Sequence, residues 1–380
     1  MSRIRDMIVR IMGVVQGSLF PAVEERLGDD LTEREQKLVH VLAWVEIDKH
    51  LPDHWGMPGR PACDRVNVAK AFVAKAVYNI PQTKMLLNQL HADAHLRTLC
   101  GWARAATIPS ESTFSRAFAE FAASALPTRV HQALIAKTQS ERIVGHASID
   151  SAAIEAREHP QRKAPAAPKP AKPKGRPPKG EERPPEKNVL DLQREQTLQE
   201  MLAALPITCG IGAKKNSKGY IETWIGYKIH IITGEGGIPL VCLLTSAWVH
   251  DSQVAIPLLN MLNGTATCLY VLMDAAYDAA AIGEHCRGLG YVPIIDINPR
   301  NNQALAQRLR QESKAMQFLH IEPPEHVHYR ERSASERVNS RVKDELGGRY
   351  VRVRGHAKVM AHLMFGILAL TVDQIVRLVH

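Results

Sequence analysis

Three acidic residues hold positions from which their carboxylates could act together. Asp150 ends a short, mostly apolar run, Asp274 directly follows the apolar run Cys268–Met273, and Glu336 lies in a segment of helical periodicity. We expect the two aspartates to end neighbouring strands, so that their carboxylates meet at one edge of a sheet. Three oxygen donors suit Mg²⁺ or Mn²⁺, and two such ions can promote a phosphodiester reaction. The structural alternative is that a strand-end aspartate caps the following turn.

A second group of residues surrounds Glu336 at regular spacing. Tyr329, Arg332, Glu336 and Lys343 fit the pattern Y-x2-R-x3-E-x6-K. At about 100° per residue, Glu336 and Lys343 lie about 20° apart around a helix, so one face presents an acid and a base. The competing interpretation is a capping box, Ser333-x-x-Glu336, in which the glutamate serves only the helix start. A cap requires neither Tyr329 nor Lys343.

The other side of the same predicted helix is apolar. Val338, Val342 and Leu346 fall near roughly 200°, 240° and 280° from Glu336. They form a separate stripe that should face the core. The helix is therefore expected to pack by one face and to present its charged face to a site.

Beyond residue 145 the chain alternates between strand and helix patterns. Tyr220–Ile232 alternates, with apolar residues on one face and Lys228 and His230 on the other, which predicts a half-buried strand. Further runs predict three buried strands and one helix: Ile238–Thr245, Thr267–Met273, Tyr291–Ile297 and, for the helix, Ala279–Leu289. With the run that ends at Asp150, they predict a mixed α/β domain of about five strands.

Residues 1–140 have helical periodicity interrupted by turn signals, which predicts an all-α N-terminal domain. In a basic protein these short helices could form a helix-turn-helix DNA reader, or they could serve as a scaffold. Near the other end, Val359–Val372 is apolar but short and contains His362, which predicts a buried helix and no membrane span. We expect residues 145–380 to form the second domain.

The chain is strongly basic. Its formal net charge is +9 at pH 7 and its pI is near 9.3. This charge favours a polyanionic partner, and nucleic acid is favoured over a membrane surface. The charge is concentrated in two stretches, a net +6 over Arg157–Lys187 and a net +5 over Arg330–Lys358. The alternative for such runs is a solvated surface, but the second run flanks the motif around Glu336.

Residues 156–190 are predicted to be a disordered basic insertion. Nine prolines lie between Pro160 and Pro185, mixed with lysine and arginine, and such a composition cannot form a core. Within it, Gly-Arg-Pro flanked by basic residues resembles an AT-hook, which lays arginine into a narrow minor groove. We therefore predict DNA contacts from Lys174, Arg176 and Lys179. A passive linker is the alternative.

The cysteines indicate the redox environment of the protein. Six are present, far apart and without a CxxC pair, which argues against a zinc site and against a disulfide framework. The pattern fits a reducing cytosol. The apolar start of the chain resembles a signal peptide only loosely, because Arg10 interrupts it. A cytoplasmic location is the expectation.

Taken together, these motifs resemble the DDE transposases of bacterial insertion sequences. The Y-x2-R-x3-E-x6-K signature, Asp150 after a first strand and Asp274 in a D-x2-Y-D context carry the likeness. The separations of 124 residues between the aspartates and 62 residues from Asp274 to Glu336 are compatible with it. The segment His250-Asp251-Ser252 also resembles a stretch common in that family.

The resemblance implies a fold and a reaction. The fold would be a ribonuclease H-like catalytic domain, a mixed sheet flanked by helices over residues 145–380, beside the all-α domain. Asp150, Asp274 and Glu336 would be the catalytic residues and would hold two Mg²⁺ or Mn²⁺ ions. The reaction would be metal-dependent strand cleavage at the element's ends, followed by transfer of the freed 3′-hydroxyl into target DNA.

It also implies how DNA would be held. Arg332 and Lys343 would contact phosphates and Tyr329 would pack beside the scissile bond, roles that suit guanidinium, ammonium and aromatic groups. The N-terminal domain would bind the element's ends, and a homodimer on DNA is expected because two ends must meet. The protein would work in the cytoplasm, associated with the nucleoid. Two alternatives are a DNA-binding descendant without catalysis and a nuclease that cuts without joining.

Overall fold

The computed structural model describes residues 30–52, 64–161, 188–215, 219–320 and 324–379. Its first part is helical. The helices there are α1 (Glu33–Val45), α2 (Arg65–Val77), α3 (Thr83–Ala92), α4 (Ala94–Leu99), α5 (Glu111–Ala123) and α6 (Leu126–Gln139). The start of α1 shows why the sequence folds this way. The Thr32 hydroxyl accepts from the Glu35 N–H, and the Glu35 carboxylate accepts from the Thr32 N–H, which pairs two donors that a helix start leaves free.

One mixed sheet forms the centre of the rest of the chain. Its strands are β1 (Ile143–Glu155), β2 (Gly210–Lys215), β3 (Ile221–Gly234), β4 (Ile238–Ser246), β5 (Thr267–Met273) and β6 (Val292–Ile295). The order is β4-β3-β1-β5-β6, and β2 pairs with the first half of β3. Strand β3 is antiparallel to both β1 and β4, whereas β5 is parallel to β1 and β6 is parallel to β5.

Helices flank this sheet. They are α7 (Val189–Gln193), α8 (Leu198–Ala204), α9 (Ser252–Asn263), α10 (Ala280–Gly288), α11 (Gln303–Leu319), α12 (Pro324–Arg330), α13 (Ser333–Asp344) and α14 (His356–Val379). Helix α13 packs on β1 and β3, α9 packs on β4, and α10 packs on β6. The prediction of a mixed sheet flanked by helices, with a helical N-terminal region, is confirmed. The described residues contain six strands, one more than predicted, because β2 extends the edge of β3.

Helix α14 joins the helical part to the sheet. It packs against α1, α2, α5 and α6 and also against β4. Phe365 of α14 lies 5.7 Å from the ring of Phe72 and 6.3 Å from that of Phe118, centroid to centroid. Of the described residues, one stretch, His356–Leu378, is long and apolar enough to cross a membrane, but 72% of its most apolar window is buried inside the protein. The buried helix predicted here is therefore present, and the domain boundary stays a prediction.

Strand β3 differs from its prediction. Its polar face was expected to meet solvent, but His230 is fully buried. The reason is that β3 pairs with β1 on one side and β4 on the other, and helices cover the sheet. Only the outer end of the strand, where β2 pairs with it, exposes apolar residues such as Ile221 and Ile225.

Candidate functional site

Asp150 lies in β1, and Asp274 directly follows β5, the neighbouring parallel strand. Ser148 of β1 pairs with Leu272 of β5, and each aspartate is two residues further along its chain. Strand β5 ends one residue before Asp274, as predicted. The prediction that Asp150 ends its strand is wrong, because β1 continues to Glu155 through its pairing with β3. The convergence of the two carboxylates survives this correction, since it depends on the register and not on where β1 ends.

Asp274 also caps the turn that follows β5. Its Oδ1 accepts a hydrogen bond from the Ala276 N–H at 2.9 Å. The structural alternative for this residue is therefore confirmed. The capping role does not explain why this residue is charged, because an asparagine side chain can cap such a turn as well as an aspartate.

Arg332 lies among the three predicted acids. Its Nη2 donates to Glu336 Oε1 at 2.6 Å, and its Nη1 is 4.0 Å from Asp150 Oδ1. Burial lowers the pKa of Arg332, but the surrounding acidic groups, Asp274 and Tyr329 included, raise it by more. A single guanidinium thus supplies the positive charge for this cluster of carboxylates.

Glu336 lies on the exposed side of α13. Its side chain is 59% exposed, whereas Val338 and Val342 are buried, as the periodicity predicted. The capping-box interpretation is wrong. The residue before the helix is Arg332 in helical conformation, and the Ser333 hydroxyl accepts from an arginine side chain instead of a backbone N–H. Helix α12 runs almost directly into α13, so no extended residue is left to act as a cap.

Asn339, which the sequence motifs did not single out, holds Asp150. Its Nδ2 donates to Asp150 Oδ2 at 2.9 Å, and the residue is only 8% exposed. Its Oδ1 is buried and has no hydrogen-bond partner among the described residues. An orphaned buried acceptor calls for an explanation, and one is a partner that binds later. In the sequence, the only sign of this role was that Asn339 is a polar residue next to the apolar stripe of α13, about one helical turn after Glu336.

Both aspartates are held where negative charge is costly. Burial raises the pKa of Asp150, and the neighbouring charge of Asp274 raises it as well. Burial also raises the pKa of Asp274, and Asp251 and Asp296 raise it further by repulsion. Because an adjacent positive charge favours the ionised form of a carboxylate, additional cationic charge would be stabilised here.

Asp251 is held by Lys228 of β3 and lies close to His230 of the same strand. Lys228 Nζ donates to Asp251 Oδ1 at 3.0 Å, and His230 Nδ1 lies 3.7 Å from the same oxygen. Burial lowers the pKa of His230 to about 4, so its ring is neutral at pH 7. The predicted polar face of β3 is therefore an internal support for a fourth acid near the cluster.

Tyr329 lies beside Arg332 and borders an open cleft. The Arg332 Cζ is 5.6 Å from the centre of the tyrosine ring, within the range of a cation–π contact. Burial raises the pKa of Tyr329. The cleft has a volume of about 870 Å³ and is also lined by Asp296 and by residues of α11 and β6. The ring of Tyr329 therefore lines an open cleft next to the carboxylates.

Lys343 lies two turns further along α13, apart from the carboxylate cluster. Burial lowers its pKa, and the like charges of Lys214 and Arg349 lower it further, against the opposing effects of Asp344 and Glu155. Lys343 therefore belongs to a mainly basic patch near the end of β1. The other predicted DNA contacts, Lys174, Arg176 and Lys179, lie outside the described residues.

The described part of the chain contains no three His, Cys, Asp or Glu side chains close enough to hold a metal ion. Arg332 contacts two of the carboxylates instead. The donor set nevertheless fits a hard cation. It consists of carboxylate oxygens, which Mg²⁺ and Mn²⁺ prefer, with raised aspartate pKa values and an orphaned amide oxygen beside them.

Comparisons with known proteins agree with this chemistry. Residues 192–372 match a family described as a transposase DDE domain, and residues 24–120 match a transposase domain family (DUF772). Two curated relatives, from two strains of Halobacterium salinarum, are each described as a probable transposase for insertion sequence element ISH11. This chain is 27% identical to each over 150 residues.

The similarity to the curated relatives covers 37% of this chain and 45% of the length of each relative. No solved structure matches the chain significantly.

Proposed function

This chain belongs to the insertion-sequence DDE transposases, and from that premise we propose that it cuts DNA at element ends and transfers the freed 3′-hydroxyl into target DNA. The observation that carries the proposal is the placement of Asp150 in β1 beside Asp274, which directly follows the parallel strand β5, with Arg332 and Glu336 next to Asp150. The position of Tyr329 at the adjoining cleft supports it.

We infer that Asp150, Asp274 and Glu336 hold two Mg²⁺ or Mn²⁺ ions. When bound, such a pair supplies the charge that activates an attacking oxygen and stabilises a leaving one. Within the chain, Asn339 orients the Asp150 carboxylate. The raised aspartate pKa values support the inference, because buried carboxylates that repel each other are stabilised by cations.

The signature residues would then hold the DNA. In this structure Arg332 pairs with carboxylates. A phosphate could replace a carboxylate as its partner, because both groups accept the two parallel N–H donors of a guanidinium. Tyr329 offers its ring to a base or sugar at the cleft. Lys343, in a patch whose like charges repel each other, would contact a phosphate further along the duplex.

The broader organisation is also a proposal. The mixed sheet flanked by helices supports a ribonuclease H-like fold for residues 145–380, and residues 1–140 would bind the element's ends. We also propose a homodimer on DNA, because two element ends must be brought together, and a cytoplasmic location associated with the nucleoid.

The direct test incubates the purified protein with a labelled duplex of the element's end and a plasmid target, with and without Mg²⁺. We expect Mg²⁺-dependent nicking and a joined product, both abolished in Glu336→Gln. Cleavage without joining would favour a nuclease. Binding of the correct end without any metal-dependent cleavage would favour a DNA-binding protein without catalysis.

Replacing Asn339 by alanine is expected to lower cleavage by about 10- to 100-fold and to raise the Mg²⁺ concentration needed for half-maximal rate. The reason is that residues which orient metal-binding carboxylates change metal affinity or activity by about that factor. The measurement is the cleavage rate over a series of Mg²⁺ concentrations.

A matched control is Val338→Ala, which shortens a buried side chain on the same helix that cannot hydrogen-bond Asp150. It should lower stability while leaving the Mg²⁺ requirement unchanged. If both variants shift the Mg²⁺ requirement equally, Asn339 has only a packing role.

Removing the basic insertion is expected to weaken DNA binding and to flatten its salt dependence. Residues 162–187 carry nine lysines and arginines, and the slope of log K against log salt falls by about 0.9 for each phosphate that the protein no longer neutralises. The cut spares Gln161, whose N–H donates to the Cys209 carbonyl, and Asn188, which caps α7. The measurement is the DNA-binding constant over a range of salt concentrations.

Two variants of unchanged length test whether the charge of the insertion or its length matters. In the first, a Gly-Ser segment of equal length replaces the whole insertion; in the second, only its nine lysines and arginines are changed to glutamine. Both should flatten the salt slope to the same extent. An unchanged slope in both would make the insertion a passive linker.

A further inference from the structure

A cavity separate from the carboxylate cluster lies between the helical part and the C-terminal helix. Its volume is about 150 Å³, roughly that of a cavity able to hold benzene. The walls come from α2, α5 and α14 and from the chain after α13. Its apolar lining includes the rings of Phe72, Phe118 and Phe365.

Lys75 of α2 lines this cavity and lacks a counter-charge. The residue is 8% exposed, and its ammonium has no hydrogen bond or ion pair with any residue in the described ranges. Burial lowers the pKa of its ammonium to about 8, and no carboxylate offsets this effect. Most Lys75 side chains therefore remain charged at pH 7. A buried charge without a partner is destabilising.

The polar part of the lining is sparse. His362 is committed, because its Nε2 donates to the Gly347 carbonyl at 3.0 Å, and burial together with Lys75 lowers its pKa to about 4. Thr83 and Ser115 add hydroxyl groups. Glu111 also lines the cavity but is exposed. The cavity therefore offers one buried cation, the half-buried Thr83 hydroxyl and aromatic walls, with Ser115 and Glu111 on its exposed side.

We propose that this cavity is a binding site for a small carboxylate with an apolar body, whose carboxylate pairs with the Lys75 ammonium. A single negative charge matches a single ammonium, and the phenylalanine rings suit an apolar group. A phosphate brings nearly two charges and three acceptor oxygens, more than this lining can satisfy. The bound molecule would bridge the helical part and the chain that follows α13 at Leu346 and Gly347.

The test needs no DNA, so it is independent of the proposed transposase activity. Benzoate at about ten times its dissociation constant is expected to raise the Tm of the full chain by about 2 °C, while benzamide and inorganic phosphate leave it unchanged. Lys75→Met should weaken benzoate binding, measured by calorimetry, at least about tenfold. That variant should also fold, with a raised Tm, because methionine removes the unpaired charge at similar volume.

Lys70→Met is the matched control, since it makes the same change on the same helix away from the cavity, and it should bind benzoate like the unmodified chain. The proposal is overturned if benzoate produces no shift, if benzamide or phosphate produces an equal one, or if Lys75→Met binds benzoate as tightly as Lys70→Met.

Discussion

Replacing Asp274 by asparagine is expected to lower DNA cleavage by about 1,000-fold while leaving DNA binding nearly unchanged. Loss of one charged group that stabilises a transition state costs about 100- to 1,000-fold, and a metal-binding carboxylate is expected at the upper end. The substitution preserves the fold, because an asparagine oxygen can still accept from the Ala276 N–H. Binding should hold or tighten slightly, since a negative charge is removed from a surface that meets phosphates. Cleavage rate and binding constant are measured on the same labelled duplex.

Asp278→Asn provides the matched control for this prediction. Asp278 lies four residues away and accepts a hydrogen bond from the Asn298 N–H at 2.9 Å, which asparagine can also do. It has the same charge as Asp274 but no place in the proposed metal site. Cleavage by Asp278→Asn should stay within about threefold of the unmodified chain. If Asp274→Asn cuts as fast as this control, the assignment of the carboxylates is wrong.

Continuous apolar runs were sufficient to predict two of the strands. Strand β5 has the predicted bounds and β4 ends one residue later than predicted. Turn residues flank both apolar runs, so the local sequence alone marks where each strand begins and ends. Strand β1 was underestimated. Its second half contains Ser151 and two alanines, which carry little strand signal, and it is held by register with β3, a pairing between distant parts of the chain that no local pattern records.

The site was predicted by motif more than by periodicity. The spacing in α13 identified Glu336 and the core stripe, since helical geometry alone fixes both. It could not reveal that Arg332 bridges Glu336 and Asp150, because that contact depends on how α13 docks on β1. Asn339 was missed for the same reason. Lys75 lies in the part of α2 where every residue from Ala71 to Val77 is buried, and its burial depends on packing between distant parts of the chain.

Replacing Phe365 by alanine is expected to destabilise the whole chain by about 3–5 kcal/mol, the usual cost of removing a buried phenylalanine. Phe365 is buried where α14 meets the helical part, stacked on Phe72 and close to Phe118. If the helical part and the sheet share one core through α14, the destabilisation must appear in both. Urea unfolding followed by circular dichroism and by tryptophan fluorescence should give coincident transitions, each shifted to lower urea.

Phe318→Ala is the control for that result, because Phe318 is 84% exposed on α11 and its truncation should change stability by no more than about 0.5 kcal/mol. Four tryptophans in the described ranges report on both parts: Trp44 and Trp102 lie in the helical region, Trp224 lies in β3 and Trp248 follows β4. Separate transitions in which Phe365→Ala moves only the helical one would mean that the two parts fold independently. A common shift would mean that the two parts unfold as one cooperative unit joined by α14.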